Sequence, residues 1–244
     1  MGCRGPARST APLKRITSEA LLVRSVAYGE SDLVVQLLTE TDGRLGAIVR
    51  GGRKSQKRVG GALEPFHTIR VELEDKGREL ATLKEARLSR VRTGIATSLE
   101  ALDAAGAALR WARQLCPPRT PEPAAWETLT HLLDALDGGV AHPKVELAAA
   151  ALRLLADVGY ALDLDRCVGC GKPRPPGRPA YVDAARGGVV CTSCGGARRL
   201  VDADVLDVAR AAQAGDGSRI TQAHAAEILA IVEEAMGAHA GIEA

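Results

Sequence analysis

The sequence predicts a multidomain α+β protein, a small five-stranded β-barrel followed by an all-α helical domain that carries a four-cysteine, ribbon-like insertion. Three observations predict it. Residues 20–88 read as short alternating or β-branched runs separated by turns, the chain after Thr93 reads as Ala- and Leu-rich segments at helical spacing, and four of the six cysteines fall in two tight pairs. The expected divisions are a flexible tail over 1–15, the barrel over 16–92, and the helical domain over 93–244 with the insertion at 163–200.

The strand runs are Ala20–Val26, Leu33–Thr39, Leu45–Val49, Thr68–Leu73 and Glu79–Leu83. Asp42-Gly43, Gly51-Gly52 and Asp75-Lys76-Gly77 supply turns between them, as hairpins require. Five strands in so short a stretch suit a small barrel.

Helical periodicity then takes over. Trp126, Leu129, Leu132, Leu133 and Leu136 share one face, as do Leu147, Ala151, Leu154, Leu155 and Val158. Pro117, Pro118, Pro121 and Pro123 separate the first helix from the second, His142-Pro143 opens the third, and Gly159 stands where a left-handed C-cap belongs. Val205–Ala212 and Ala225–Met236 predict two closing helices. No repeat at solenoid spacing is visible.

Cys167-Val168-Gly169-Cys170-Gly171 and Cys191-Thr192-Ser193-Cys194-Gly195 are two C-x-x-C-G knuckles separated by 20 residues, the spacing of a zinc ribbon. One tetrahedral ion needs four thiolates about 2.3 Å away, and each knuckle offers two. Ala180–Asp183 and Gly188–Val190 flank Ala184–Gly187 as a small hairpin that would bring the knuckles together. Arg166, Lys172, Arg186, Arg198 and Arg199 stand close enough in sequence to offset the charge of the thiolates. The expected cofactor is one structural zinc ion held by Cys167, Cys170, Cys191 and Cys194. A single iron fits the same spacing. Four thiolates leave no open position for water, which disfavours a catalytic metal. Cys3 and Cys116 are expected in the tail and on a helix face.

The net charge of +2 conceals an asymmetry, since residues 1–92 carry 18 Lys and Arg against 11 Asp and Glu and the remainder 14 against 19. A polyanion would therefore bind at the front. From Gly43 to Leu63 there is no acidic residue, while Arg44, Arg50, Arg53, Lys54, Lys57 and Arg58 supply six positive charges among glycines. These six are the candidate DNA-binding residues, because such a loop pairs with phosphates and releases counterions whatever the base sequence. A solvated hairpin connection is the plainer reading. Tyr28 and Phe66 are the only aromatic residues of the first domain, so the grip would rest on charge more than stacking.

Other classes are excluded or disfavoured. Neither phosphate-loop nor dinucleotide-binding glycine pattern occurs. His67, His131, His142, His224 and His239 are scattered without ligand spacing, and no carboxylate pair is set around them. No apolar run reaches the roughly 20 residues of a membrane span, the start has no signal-peptide stretch, and Pro6 occupies the place where a myristoylation signal needs Ser or Thr. A soluble, cytoplasmic, reduced protein is expected.

The order of these parts resembles the bacterial RecO recombination-mediator family over roughly residues 17–200. The likeness rests on Leu22-Val23, Tyr28-Gly29-Glu30-Ser31-Asp32, Leu37-Leu38-Thr39-Glu40, Gly43-Arg44-Leu45 and Val49-Arg50-Gly51-Gly52-Arg53-Lys54. Later it continues in Arg166-Cys167-Val168-Gly169-Cys170-Gly171 and Gly187-Gly188-Val189-Val190-Cys191-Thr192-Ser193-Cys194. The resemblance implies that the barrel is an OB-fold and that the protein is not an enzyme. It further implies a nucleoid-associated protein that binds single- and double-stranded DNA and anneals complementary strands. With RecR it would help load RecA onto DNA coated with single-stranded-DNA-binding protein, whose acidic tail it would bind, in functional connection with RecF. Two readings from other classes stand beside it. One is a zinc-ribbon adaptor of transcription or translation. The other is a zinc hydrolase or nuclease, which would need an open metal position and acidic ligands.

Overall fold

The computed structural model describes residues 13–53, 59 and 61–240, the side chains of 239 and 240 excepted. It divides into two compact units, residues 1–91 with 118–121, and residues 92–117 with 122–244.

In the first unit five strands, β1 (Lys14–Tyr28), β2 (Asp32–Thr39), β3 (Gly43–Val49), β4 (Thr68–Asp75) and β5 (Ala81–Arg90), pair in the order β1-β2-β3-β5-β4, with β4 returning to β1. The seam is short. β3 meets β5 in parallel through Ala47↔Ala81 and Ile48↔Thr82, whereas the other ladders are antiparallel and long. Alternation explains the core: along β3, Gly43, Leu45, Ala47 and Val49 point in and Arg44, Gly46 and Ile48 point out. Leu45 and Val49 join Val35, Leu37, Ile69, Val71, Leu73 and Leu83 in one apolar cluster.

The first strand is longer than the sequence run suggests, beginning at Lys14 inside the stretch expected to be a tail. Its 15 residues serve two neighbours, because Lys14–Leu21 pairs with β4 and Ala20–Tyr28 with β2. A bulge between Leu22 and Arg24 makes the bend. The fifth strand is also displaced, running from Ala81 to Arg90, so Glu79 and Leu80 fall in the preceding turn.

Residues 118–121, which the sequence places between helices, complete the barrel unit. The Arg119 N–H donates to the Arg44 carbonyl at 3.0 Å. The Arg119 guanidinium pairs with Asp75, whose carboxyl it holds below the usual range. Gly43 is at φ +68°, and a Cβ there would stand 2.0 Å from the Thr120 carbonyl oxygen. Only glycine meets both demands.

The second unit contains α1 (Leu99–Leu115), α2 (Pro123–Asp137), α3 (Pro143–Asp157), α4 (Ala203–Gln213) and α5 (Gln222–Ala240). Ser98 caps α1 through the Ala101 N–H, and Pro123 and Pro143 open α2 and α3. The predicted leucine faces are buried, except that Val158 is only half-buried and Leu152 is buried in addition. Gly159 ends α3 at φ +86°. Arg92, nearly inaccessible, pairs with Asp134 at 2.6 Å, and Asp137 accepts the Gly94 N–H at 2.7 Å, so the first residues of this unit are tied to α2.

Candidate metal centre and nucleic-acid interface

Between α3 and α4 the chain forms a three-stranded sheet of β6 (Ala180–Asp183), β7 (Gly188–Val189) and β8 (Arg199–Val201), in the order β7-β6-β8. The hairpin of β6 and β7 is the one the sequence indicates. The third strand, Arg199–Val201, was not legible, being three residues that begin with the second member of the basic pair Arg198-Arg199. Gly188 sits at φ +148° with its α-carbon pressed on Asp163, where a Cβ would lie 2.2 Å from the carbonyl oxygen. The Asp163 carbonyl accepts the Val189 N–H, and the Val189 carbonyl accepts the Val168 N–H, which draws the first knuckle alongside β7.

This pairing gathers Cys167, Cys170, Cys191 and Cys194 so that their Sγ atoms all lie within 4.8 Å of one another. Four ligands about 2.3 Å from one ion would be about 3.8 Å apart, and Cys170 and Cys191 Sγ are 3.7 Å apart. Gly171 at φ +72° and Gly195 at φ +98° turn the chain back after each second cysteine. The Cys191 N–H donates to Cys167 Sγ at 3.3 Å, and chiefly for this reason the Cys167 thiol is lowered to about 6. Hydrogen bonding to the other sulfurs, Cys170 first, pushes the Cys194 thiol up to about 12. Four sulfurs this close cannot all be anionic without a cation among them, and an all-sulfur donor set suits zinc or iron and not magnesium or calcium.

Of the basic residues near the knuckles, Arg186 is best placed. A Cβ on Gly169 would be 3.2 Å from Cys194 Sγ and 3.3 Å from Arg186 Nη2, so the sulfur and the guanidinium both stand against the Gly169 backbone. Arg199 instead pairs with Glu234 at 3.6 Å. Arg166, Lys172 and Arg198 are exposed. Cys116, outside the cluster, is fully buried at the end of α1. Cys3 lies outside the described residues.

In the barrel unit the basic segment leaves the end of β3. Asp32, at the start of β2, accepts the Gly51 N–H at 2.7 Å, and the Ser31 carbonyl accepts the Arg53 N–H at 3.0 Å. The Arg53 guanidinium reaches back to the Glu30 carbonyl at 3.4 Å. The tip of the β1–β2 hairpin therefore holds the root of the basic segment. Arg50 and Arg53 are exposed there. Arg44 is not with them. It is half-buried at the other end of β3, and six residues of strand put it about 20 Å from Arg50. Lys54, Lys57 and Arg58 lie outside the described residues.

Two exposed residues of β1 are not among the six sequence-predicted contacts. Arg24 and Tyr28 project on the same side of β1 as Val26, with Tyr28 59% exposed. The available signal was the same-face spacing of Arg24, Val26 and Tyr28, two residues apart in turn along one strand. No helix among the described residues is long and apolar enough to cross a membrane.

Comparison with known proteins agrees with both parts. The family described as Recombination protein O N terminal matches residues 13–92, and Recombination protein O C terminal matches residues 96–243. A DNA repair protein RecO of Anaeromyxobacter sp. (strain K) is 37% identical over 183 residues, covering 75% of this chain and 71% of that protein. Those of Geobacter sulfurreducens and Myxococcus xanthus are 36% and 35% identical over 74% and 75% of this chain, covering 73% and 74% of their own lengths. With its barrel unit matching the first profile and its helical, cysteine-bearing unit matching the second, the chain belongs to the RecO family of DNA repair proteins.

Proposed function

We propose that this protein is a non-enzymatic DNA-annealing and recombination-mediator protein of the cytoplasm, associated with the nucleoid. The observation that carries the reading is the anchoring of Gly51 and Arg53 on the hairpin tip, at the root of a segment, residues 50–63, with five cations and no carboxylate. Two complementary strands repel one another through their phosphates. Arg50 and Arg53, together with Lys54, Lys57 and Arg58 next to them in sequence, would neutralise that charge and displace counterions. Because it does not grip the pairing edges of the bases, a second strand can pair with the first. Arg44, at the far end of β3, would extend the phosphate track.

One ion, zinc by preference, would be held by Cys167, Cys170, Cys191 and Cys194. With all four positions filled by sulfur it would stabilise the ribbon and supply no reactive water. The family membership supports partnership with RecR in loading RecA, a functional link to RecF, and binding of the acidic tail of single-stranded-DNA-binding protein. A pull-down against that protein with and without its tail tests the last of these.

The principal test is fluorescence-monitored annealing of two complementary oligonucleotides. Acceleration should be salt-sensitive and lost when Arg53, Lys54, Lys57 and Arg58 are replaced by alanine. Native protein that fails to accelerate annealing would overturn the reading.

A further inference from the structure

The ribbon has a charge of its own. Residues 163–200 contain seven Lys and Arg against three Asp, whereas the rest of 93–244 carries an acidic excess of seven against sixteen. Two of the seven are engaged within the unit, Arg174 with Asp207 and Arg199 with Glu234. Lys172, Arg178 and Arg198 are exposed and, among the described residues, have no carboxylate partner.

Lys172 also stands at the wall of a cleft of about 510 Å³ cut into the ribbon, a size typical of small-molecule sites. Pro173, Pro175 and Pro179 give it rigid apolar sides, Thr192 and Ser193 contribute exposed hydroxyls, and Tyr181 lines it. The Tyr181 ring rests against Gly196, where a Cβ would be 3.3 Å from the ring. Gly196, at φ +62°, thus brings backbone up to one part of the ring while another part faces the cleft. Leu200, 55% exposed, is paired with Tyr181 across the sheet and completes an apolar wall.

We infer that this cleft is a second nucleic-acid contact, in which a base of a single strand lies against Tyr181 while its flanking phosphates meet Lys172, Arg178 and Arg198. Lys172 shares the cleft with the ring, and Arg178 and Arg198 stand within two residues of its lining positions Pro179 and Leu200; ring and cations together are the combination that single-strand binders use, stacking for the base and charge for the backbone. With the two negative charges of a four-thiolate zinc site counted, the ribbon keeps an excess of about two positive charges, which together with the ring favours a nucleic-acid strand over a purely apolar peptide. The inference rests on the DNA-binding reading above, and it adds a place for a second strand on the same chain.

The test compares three full-length proteins loaded with zinc: native, Lys172→Glu/Arg178→Glu/Arg198→Glu, and the barrel variant with Arg53, Lys54, Lys57 and Arg58 changed to alanine. Each is titrated with an oligothymidylate at several salt concentrations and photo-crosslinked to an oligonucleotide bearing 5-iododeoxyuridine. Zinc content confirms that each ribbon is intact. The ribbon variant should bind at least about threefold more weakly, and its logarithmic salt slope should be shallower by about two, near 0.7 for each phosphate no longer neutralised. The barrel variant should still crosslink at Tyr181. An unchanged affinity and slope in the ribbon variant, with crosslinks confined to the barrel, would refute the second site and leave the first standing. Absence of any DNA binding by native protein would refute both.

Discussion

The carboxylate of Asp32 accepts the Gly51 N–H at 2.7 Å, so a residue opening β2 fixes where the chain departs from β3. Replacing Asp32 by alanine removes a bond worth about 1 kcal/mol and releases the root of the basic segment. DNA affinity should fall several-fold with little change in thermal midpoint, and Asp32→Asn, which keeps an accepting oxygen, should behave like native protein. Titration of a single-stranded oligonucleotide with each variant decides this.

Two glycines at positive φ should respond differently to alanine. At Gly29, φ +58°, nothing lies within 4 Å of an added Cβ, so the cost is the backbone penalty of about 1 kcal/mol. At Gly43 the same penalty is joined by collision with the Thr120 carbonyl, and the loss should reach about 3 kcal/mol. Denaturant unfolding of both variants would show the gap, and equal losses would mean that residues 118–121 give way freely.

Asp75 links the barrel's acid response to Arg119. The hydrogen bond from Arg119, helped by the Gly77 N–H, holds the Asp75 carboxyl below its ordinary value of about 3.9. A depressed acid stabilises the fold above its unfolded value, and that contribution is lost as pH falls through the folded value. Thermal stability should therefore decline below about pH 4, with a gentler decline in Asp75→Asn. Parallel curves would remove Asp75 from the account.

Metal removal should affect the ribbon first. Metal affinity and local folding are coupled where the ligands converge only in the folded chain. Cys194→Ser should lower bound zinc from one ion per chain toward none, and a strong chelator should do the same to native protein. Protease cleavage within 163–200 should then appear while the barrel resists. Full zinc content in Cys194→Ser would disprove the assigned ligand set, and a red purified protein would replace zinc by iron.

Much of this architecture was legible because it is written in short periods. Short apolar runs marked all five barrel strands, the fifth with displaced bounds, and 3.6-residue spacing marked the leucine faces of α2 and α3. The cysteine spacing marked the knuckles because a four-thiolate site demands neighbours two by two. What was not legible depends on distant pairing. Lys14 and Arg15 look like tail residues until Asp75 and Glu74 are placed beside them across β4. Arg44 looks like part of the basic loop until strand geometry carries it to the other end of β3. The role of Asp32 as an anchor needs the hairpin to close before Gly51 is near it.

The participation of residues 118–121 in the barrel unit has a consequence for anyone wishing to isolate that part. A fragment cut at residue 92 would hold all five strands yet lack the strip that occupies the space beside Gly43, satisfies the Arg44 carbonyl and neutralises Asp75. During synthesis, too, the barrel stays unfinished until the ribosome has added roughly thirty residues beyond the last strand, α1 among them. The autonomous piece is discontinuous in sequence, and a soluble version would need the Pro118–Pro121 strip supplied by a linker or as a separate peptide.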